Sequence, residues 1–251
     1  MKTALITGAT SGIGEASAKL LAANDYNLLL TGRRKDKLES LARLLSKKNN
    51  VDVHYLSFDI RSRSETEKAL YDLPPGFESP DLLLNNAGLA SGISTIQDGD
   101  VNDWETMIDT NVKGLLYVSR HIAKRMSERK AGHIINIGSI AGKEVYPNGN
   151  VYCATKFAVE ALTRAMRIDL LPFGVRVTSI SPGMVETEFS LVRFHGDSER
   201  ANQVYNGVVP LKPEDIAEAV LWVANRPPHV NINDIVIMPT VQASTSHLIR
   251  K

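Results

Sequence analysis

The chain has 251 residues, of which 43% are apolar and 23% charged, and its formal net charge is +1. That length and balance suit one large α/β domain or two small ones with an ordinary core, and exclude wholesale disorder. A near-neutral charge without basic blocks argues against nucleic acid or an anionic membrane surface as partner.

Short apolar runs alternate with longer amphipathic stretches along the chain. Strands are predicted at Ala4–Thr7, Asn27–Thr31, Val53–Phe58, Leu82–Asn85, His133–Ile137, Arg176–Ile180 and Ile235–Met238. The first six are rich in Val, Ile or Leu without clean alternation, as strands buried on both faces are. Helices are predicted at Ile13–Ala23, Lys35–Lys47, Ser64–Asp72, Asp103–Arg129, Val151–Leu171 and Pro213–Asn225, with a capping box at Ser62-x-x-Glu65 and a proline start at Pro213. Repeated β–α units imply a doubly wound parallel sheet with helices on both faces. Residues 1–251 read as a single catalytic domain. Within it, the irregular stretch Met184–Val209 follows a strand's C-terminal end, where a lid over a site would lie. The polar tail Pro239–Lys251 either docks on a neighbouring subunit or is loose.

The first strand runs into Thr7-Gly8-Ala9-Thr10-Ser11-Gly12-Ile13-Gly14 and then a helix. Such a turn lets backbone approach a pyrophosphate, which the free N–H groups of the helix start attract. The second strand ends at Arg33-Arg34, where arginine suits a 2′-phosphate and a carboxylate would suit a bare ribose hydroxyl. The expected cofactor is therefore NADP(H). The third strand ends at Phe58-Asp59-Ile60, where Asp59 could accept from an adenine amino group.

Ser139 follows the fifth strand, and Tyr152 and Lys156 stand one helical turn apart on one face. An ammonium close to a phenol favours phenolate, which makes the proton transferable near neutral pH. A serine hydroxyl nearby could hydrogen-bond the oxygen that gains or loses that proton. Cys153, the single cysteine, reads as a small packing residue; it allows no internal disulfide and is compatible with a reducing compartment. The six histidines show no ligand spacing, so no metal is expected. No apolar run approaches the ~18–20 residues of a membrane span, and the N-terminus enters a strand without a signal-peptide pattern. A cytoplasmic protein is expected.

Taken in order, Thr7-Gly8-x-x-x-Gly12-x-Gly14, Asn85-Asn86-Ala87-Gly88, Asn111, Ser139, Tyr152-x-x-x-Lys156 and Pro182-Gly183 resemble the motifs of the short-chain dehydrogenase/reductase family over essentially the whole chain. The resemblance implies a Rossmann-like sheet of order 3-2-1-4-5-6-7 and hydride exchange between a nicotinamide cofactor and a carbonyl/alcohol pair. It implies Tyr152 as general acid/base, Lys156 as the residue that lowers its pKa and holds the nicotinamide ribose, and Ser139 on the substrate oxygen. Asn111 would hold a water that links Lys156 to solvent. Asn85, Ala87 and Gly88 would line the adenosine ribose, and Pro182, Gly183, Val185 and Thr187 would face the nicotinamide.

The segments Pro182–Phe194, Leu211–Val220 and His229–Asn233 look more narrowly like the NADP-dependent 3-hydroxy acid dehydrogenases, which act on serine, L-allo-threonine and malonic semialdehyde and usually form homotetramers. A 3-hydroxy acid needs a partner for its carboxylate, and Arg193, in the apolar run Phe189–Phe194, is the candidate, with His195 beside it. The alternatives are a reductase of the same family for 3-oxoacyl thioesters, sugars or hydrophobic ketones, and a dinucleotide-sensing protein without chemistry. The intact Asn111, Ser139, Tyr152 and Lys156 speak against the last.

Overall fold

The structure, a computed structural model, describes residues 1–251. Seven parallel strands lie in the order β3-β2-β1-β4-β5-β6-β7. They are β1 (Lys2–Thr7), β2 (Tyr26–Gly32), β3 (Val53–Ser57), β4 (Leu82–Asn85), β5 (Gly132–Ile137), β6 (Val175–Pro182) and β7 (Asp234–Ile237). The helices are α1 (Gly12–Ala22), α2 (Lys35–Asn49), α3 (Arg63–Tyr71), α4 (Val101–Ile108), α5 (Leu115–Arg129), α6 (Asn150–Leu170), α7 (Phe189–Arg193), α8 (Ser198–Gln203) and α9 (Pro213–Ala224). All seven predicted strands exist, each within two residues of its expected ends.

Strand pleat explains why the apolar runs are continuous. Ala4, Ile6, Leu28, Leu30, Leu82 and Leu84 point to one face and pack with α1, α2 and α9. Leu5, Leu29, Leu83 and Ile134 point to the other and pack with Leu70 of α3, Val118, Ile122 and Met126 of α5 and Leu170 of α6. Most residues of the inner strands thus have a core to enter, whichever side they face, whereas the edge strands β3 and β7 keep exposed residues. No helix is long and apolar enough to cross a membrane.

Three local features differ from the sequence reading. The predicted helix Asp103–Arg129 is α4 and α5 joined by a π-helical turn, Asp109–Gly114. The apolar period continues through that turn, so spacing alone did not betray it. The capping box before α3 is half formed. Ser62 Oγ accepts from Glu65 N at 3.2 Å, but the Glu65 carboxylate accepts from Asp59 N at 3.0 Å. Thirdly, the irregular stretch contains the two short helices α7 and α8.

Candidate active site

The C-terminal ends of β1 to β6 open on one cavity of about 350 Å³ along the edge of the sheet. Its floor at one end is the glycine turn. Gly8 and Gly12 sit at φ +65° and +52°, which only glycine adopts without strain. The α1 N-cap residue, Ser11, makes no side-chain cap, so the first N–H groups of α1 remain available to an anion. Gly8, Thr10, Ser11, Gly12 and Ile13 line the cavity. Gly14 lies behind them, where a Cβ would come within 2.3 Å of the Gly8 carbonyl oxygen. Its glycine serves close packing rather than contact.

The two adjacent asparagines divide their work. Asn86 lines the cavity and donates from Nδ2 to Thr7 O at 2.9 Å and Gly8 O at 3.1 Å, which ties the glycine turn to β4. Asn85 does not line the cavity, contrary to expectation. It is buried, opposite Asn136 in the β4–β5 register, and donates to Asn136 Oδ1 and Ser119 Oγ, both at 2.8 Å. From that position it ties β4 to β5 and α5 and fixes the central sheet. Ala87 and Gly88 line the cavity.

The two arginines after β2 also part. Both line the cavity, with Arg33 exposed to solvent. Arg34 instead donates from Nε to Thr10 Oγ1 at 3.0 Å, from Nη2 to Thr10 O at 3.0 Å and from Nη1 to Glu188 at 2.8 Å. Asp59 and Ile60 line the same end. Asp59 is paired with Arg61 at 2.6 Å; burial raises its carboxyl, but the Arg61 hydrogen bonds and charge bring it below the usual range.

At the other end, Ser139 leaves β5 and its Oγ accepts from Ala141 N at 3.0 Å, which opens a single 3₁₀ turn. The following loop leads into α6, which carries Tyr152 and Lys156 on its buried face. Ser139, Tyr152 and Lys156 all line the cavity, with Ile137 and Gly138 between them. Lys156 Nζ donates to Ile137 O at 3.0 Å, and burial lowers its pKa to about 8. Burial raises the Tyr152 phenol well above its ordinary value, and neighbouring Tyr146 adds to that; the Ser139 hydroxyl and the Arg193 charge favour the phenolate. The sequence reading credited this to Lys156 alone. Here the ammonium leans on a backbone carbonyl, and Ser139 and Arg193 act more directly on the phenol.

Asn111 stands in the π-helical turn, behind the cavity wall. Its Oδ1 accepts from Leu89 N at 2.8 Å, and its Nδ2 donates to Leu89 O at 2.8 Å and Thr155 Oγ1 at 3.0 Å. A Cβ on Gly88 would stand 3.2 Å from Asn111 Oδ1 and 3.6 Å from Lys156 Nζ. Glycine there keeps open the space between those two groups. Tight turns of π-helix often mark functional sites, and this one aims Asn111 at that space.

Pro182, Gly183, Val185 and Thr187 form the cavity's far wall. A Cβ on Gly12 would touch Thr187 Cγ2 at 3.0 Å, so the start of the Met184–Val209 stretch rests on the glycine turn. Arg193, at the end of α7, lies outside this cavity and lines a small pocket that shares Tyr152 with it. Its guanidinium donates to Tyr146 Oη and stacks near the rings of Tyr152, Tyr146 and Phe189, at 5.4, 5.5 and 5.9 Å. Arg193 Nε is buried without a partner. His195 does not join it; its Nε2 meets Asp103 at 3.3 Å. Cys153 is fully buried among apolar side chains. No group of three or more His, Cys, Asp or Glu side chains is arranged to hold a metal.

Sequence did not reveal the place of Glu188, which lines the cavity, or the contact that Tyr146 makes with Arg193 beside it. Tyr146 sits in the loop before α6 and gave no periodic signal. Glu188 lies 154 residues from its arginine partner, so no local pattern could reveal the pair.

Comparison with known proteins agrees with this geometry. The short chain dehydrogenase family profile matches residues 2–196. The NADP-dependent 3-hydroxy acid dehydrogenase of Salmonella typhi is 47% identical over 240 residues, which is 95% of each chain. The serine 3-dehydrogenase of Agrobacterium fabrum is 44% identical over 241 residues, 96% of this chain and 95% of that one. The closed form of a serine dehydrogenase in complex with NADP+ superposes with a TM-score of 0.92 at 44% identity, over 99% of both chains. With its sheet order, its glycine turn and its Ser-Tyr-Lys cluster on one cavity, the chain belongs to the short-chain dehydrogenases.

Proposed function

We propose that this enzyme exchanges hydride between NADP(H) and a short 3-hydroxy acid or its 3-oxo form, of the serine, L-allo-threonine or malonic semialdehyde type. One observation carries the substrate class: a guanidinium with a buried, unpartnered N–H stands 5.4 Å from the ring of Tyr152. An anionic group placed there would set a carbon two bonds away beside the phenol, and an unpaired buried donor is costly unless something accepts from it.

The chain's residues fit the cofactor. The uncapped start of α1 and the positive-φ glycines suit a pyrophosphate, and Arg33, exposed beside Arg34, suits a 2′-phosphate. Ala87 and Gly88 would lie along the adenosine ribose, and Pro182, Gly183, Val185 and Thr187 would lie against the nicotinamide. The cofactor would supply or accept the hydride at the 3-carbon. In the oxidative direction Tyr152, as phenolate, takes the hydroxyl proton; in reduction the phenol returns a proton to the carbonyl oxygen. Ser139 hydrogen-bonds that oxygen in both directions. Lys156 holds the nicotinamide ribose, and its charge favours the phenolate. A water in the space between Gly88, Asn111 and Lys156 passes the proton towards solvent.

Residues 1–251 act as one catalytic domain, with 184–209 as a lid that brings Arg193 to the substrate. Assembly as a homotetramer is supported by apolar side chains left exposed on outer faces, among them Phe157 and Ile168 on α6 and Trp222 on α9. Light scattering behind a sizing column tests it. A cytoplasmic setting goes with the single, unpaired cysteine. The deciding experiment is an absorbance assay at the NADPH band, with L- and D-serine, L-allo-threonine and 3-hydroxyisobutyrate against simple alcohols. Equal rates on alcohols without an acid group would refute the substrate class.

A further inference from the structure

Near the start of the lid a carboxylate is seated on two cations, Arg34 and Lys37, next to the Arg33 assigned above to the 2′-phosphate. Glu188 Oε2 accepts from Arg34 Nη1 at 2.8 Å, and Oε1 accepts from Lys37 Nζ at 3.3 Å. Arg34 gives its Nε and Nη2 to Thr10, so Nη1 is the nitrogen left to face a ligand, and Glu188 holds it. One guanidinium therefore joins the glycine turn, the start of α2 and the start of the lid. Glu188, Arg33, Arg34 and Thr10 all line the same cavity. Burial raises the Glu188 carboxyl, but the Arg34 and Lys37 hydrogen bonds and charges bring it below the usual carboxylate range.

A phosphate dianion and a carboxylate on the same guanidinium repel one another at close range, with little screening at that distance. One must yield. The phosphate carries more charge and more acceptor oxygens, and the carboxylate is carried by the N-cap residue of a short helix, α7. The pair Glu188–Arg34 is also half exposed, at 43% and 39% of the side chains, so breaking it costs little.

We infer that Glu188 is a lid-borne stand-in for the 2′-phosphate, which displaces it from Arg34 and Lys37 and so releases the start of the lid. A cofactor with a bare 2′-hydroxyl leaves the carboxylate in place and the lid tethered. Cofactor choice and lid freedom are thereby one event. The inference rests on the NADP reading.

The test is calorimetric titration of the wild-type protein and of Glu188→Gln with 2′,5′-ADP and with 5′-ADP, joined to hydrogen exchange over residues 186–194. Glu188→Gln is expected to bind 2′,5′-ADP roughly fivefold more tightly, with 5′-ADP unchanged. In the wild type, 2′,5′-ADP is expected to speed exchange at the lid start and 5′-ADP is not; in Glu188→Gln exchange there is fast from the outset. Unchanged or weaker binding of 2′,5′-ADP by Glu188→Gln would mean that the carboxylate orients Arg34 instead, and overturns the inference while leaving the NADP reading intact. A wild type that does not prefer 2′,5′-ADP to 5′-ADP overturns both.

Discussion

The Arg193 guanidinium carbon lies 5.4 Å from the centre of the Tyr152 ring, so the charge proposed to bind substrate sits directly beside the group proposed to move its proton. The same guanidinium favours the Tyr152 phenolate. Replacing Arg193 with Ala should therefore act twice. The KM for serine and other 3-hydroxy acids should rise roughly 10- to 100-fold, the worth of a charged hydrogen bond. Lysine at the position should recover only part of this, because it lacks the planar fork. Steady-state kinetics with an acid and an uncharged alcohol of equal size will separate the effects. An unchanged KM for the acid would retire Arg193 as its anchor.

Tyr152→Phe should reduce turnover by at least ~10²-fold in both directions while binding of NADPH stays near the wild-type level, as followed by cofactor fluorescence. In the wild type, oxidation should rise with pH, because the phenol must first be ionised and burial raises its pKa. Reduction uses the neutral phenol and should be flat at low pH and fall in the alkaline range. A pair of profiles that rise together would show that another group limits the rate.

Lys156 makes a prediction about stability. Burial lowers its pKa from 10.5 to about 8, so the fold disfavours the charged form. Below pH ~8 both the folded and the unfolded chain hold the proton, and burying the charge costs, at roughly 1.4 kcal/mol per unit, about 3 kcal/mol. The cost shrinks as pH rises from about 8 through the unfolded value and is gone above it. Lys156→Met, which fills a similar volume without charge, should be inactive yet melt higher than wild type at pH 7, with the difference narrowing by pH 10. Melting curves at both pH values check this; a mutant less stable at pH 7 would show that the Ile137 hydrogen bond outweighs the buried charge.

How far sequence reached is clearest at neighbouring positions. Leu28 to Leu30 read as a buried strand because Leu28 and Leu30 face one core and Leu29 the other. Tyr152 and Lys156 read as a pair because helix spacing is local. Asn85 and Asn86 look alike in sequence, and only the pleat decides that one faces the sheet interior and the other the cavity. The π-helical turn was hidden because an inserted residue leaves composition and caps unchanged. Arg34 was legible as a cation near the ribose, but its commitment to Thr10 and Glu188 depends on contacts 24 and 154 residues away.

That division of labour sets the cofactor prediction. Arg33→Ala should weaken NADP binding far more than NAD binding, since Arg33 lines the cavity and, unlike Arg34, is not tied to Thr10 and Glu188. Arg34→Ala should weaken NADP binding and also disturb the lid, because it removes the tie among Thr10, Glu188 and α2. Dissociation constants for both cofactors with each variant measure this. If Arg33→Ala weakens NAD and NADP by the same factor, the 2′-phosphate is not read there.

The C-terminal tail gives the last prediction. Residues after Pro239 are not loose; they pack on the chain itself, across the two ends of the Met184–Val209 stretch. Gln242 Oε1 accepts from Met184 N at 2.9 Å, at the start of the Met184–Val209 stretch. Lys251 N donates to Gly207 O at 2.9 Å, and Arg250 Nη1 donates to Val204 O at 3.1 Å, near its end. One strap thus holds both ends of the stretch proposed as a lid, by hydrogen bonds worth about 1 kcal/mol each. Gln242→Ala should leave the melting temperature almost unchanged, because the two cores are untouched. It should nevertheless speed limited proteolysis within 184–209 several-fold, since local opening there depends on few contacts. Cleavage at the wild-type rate, with the same products, would show that Gln242 does not restrain the start of the stretch.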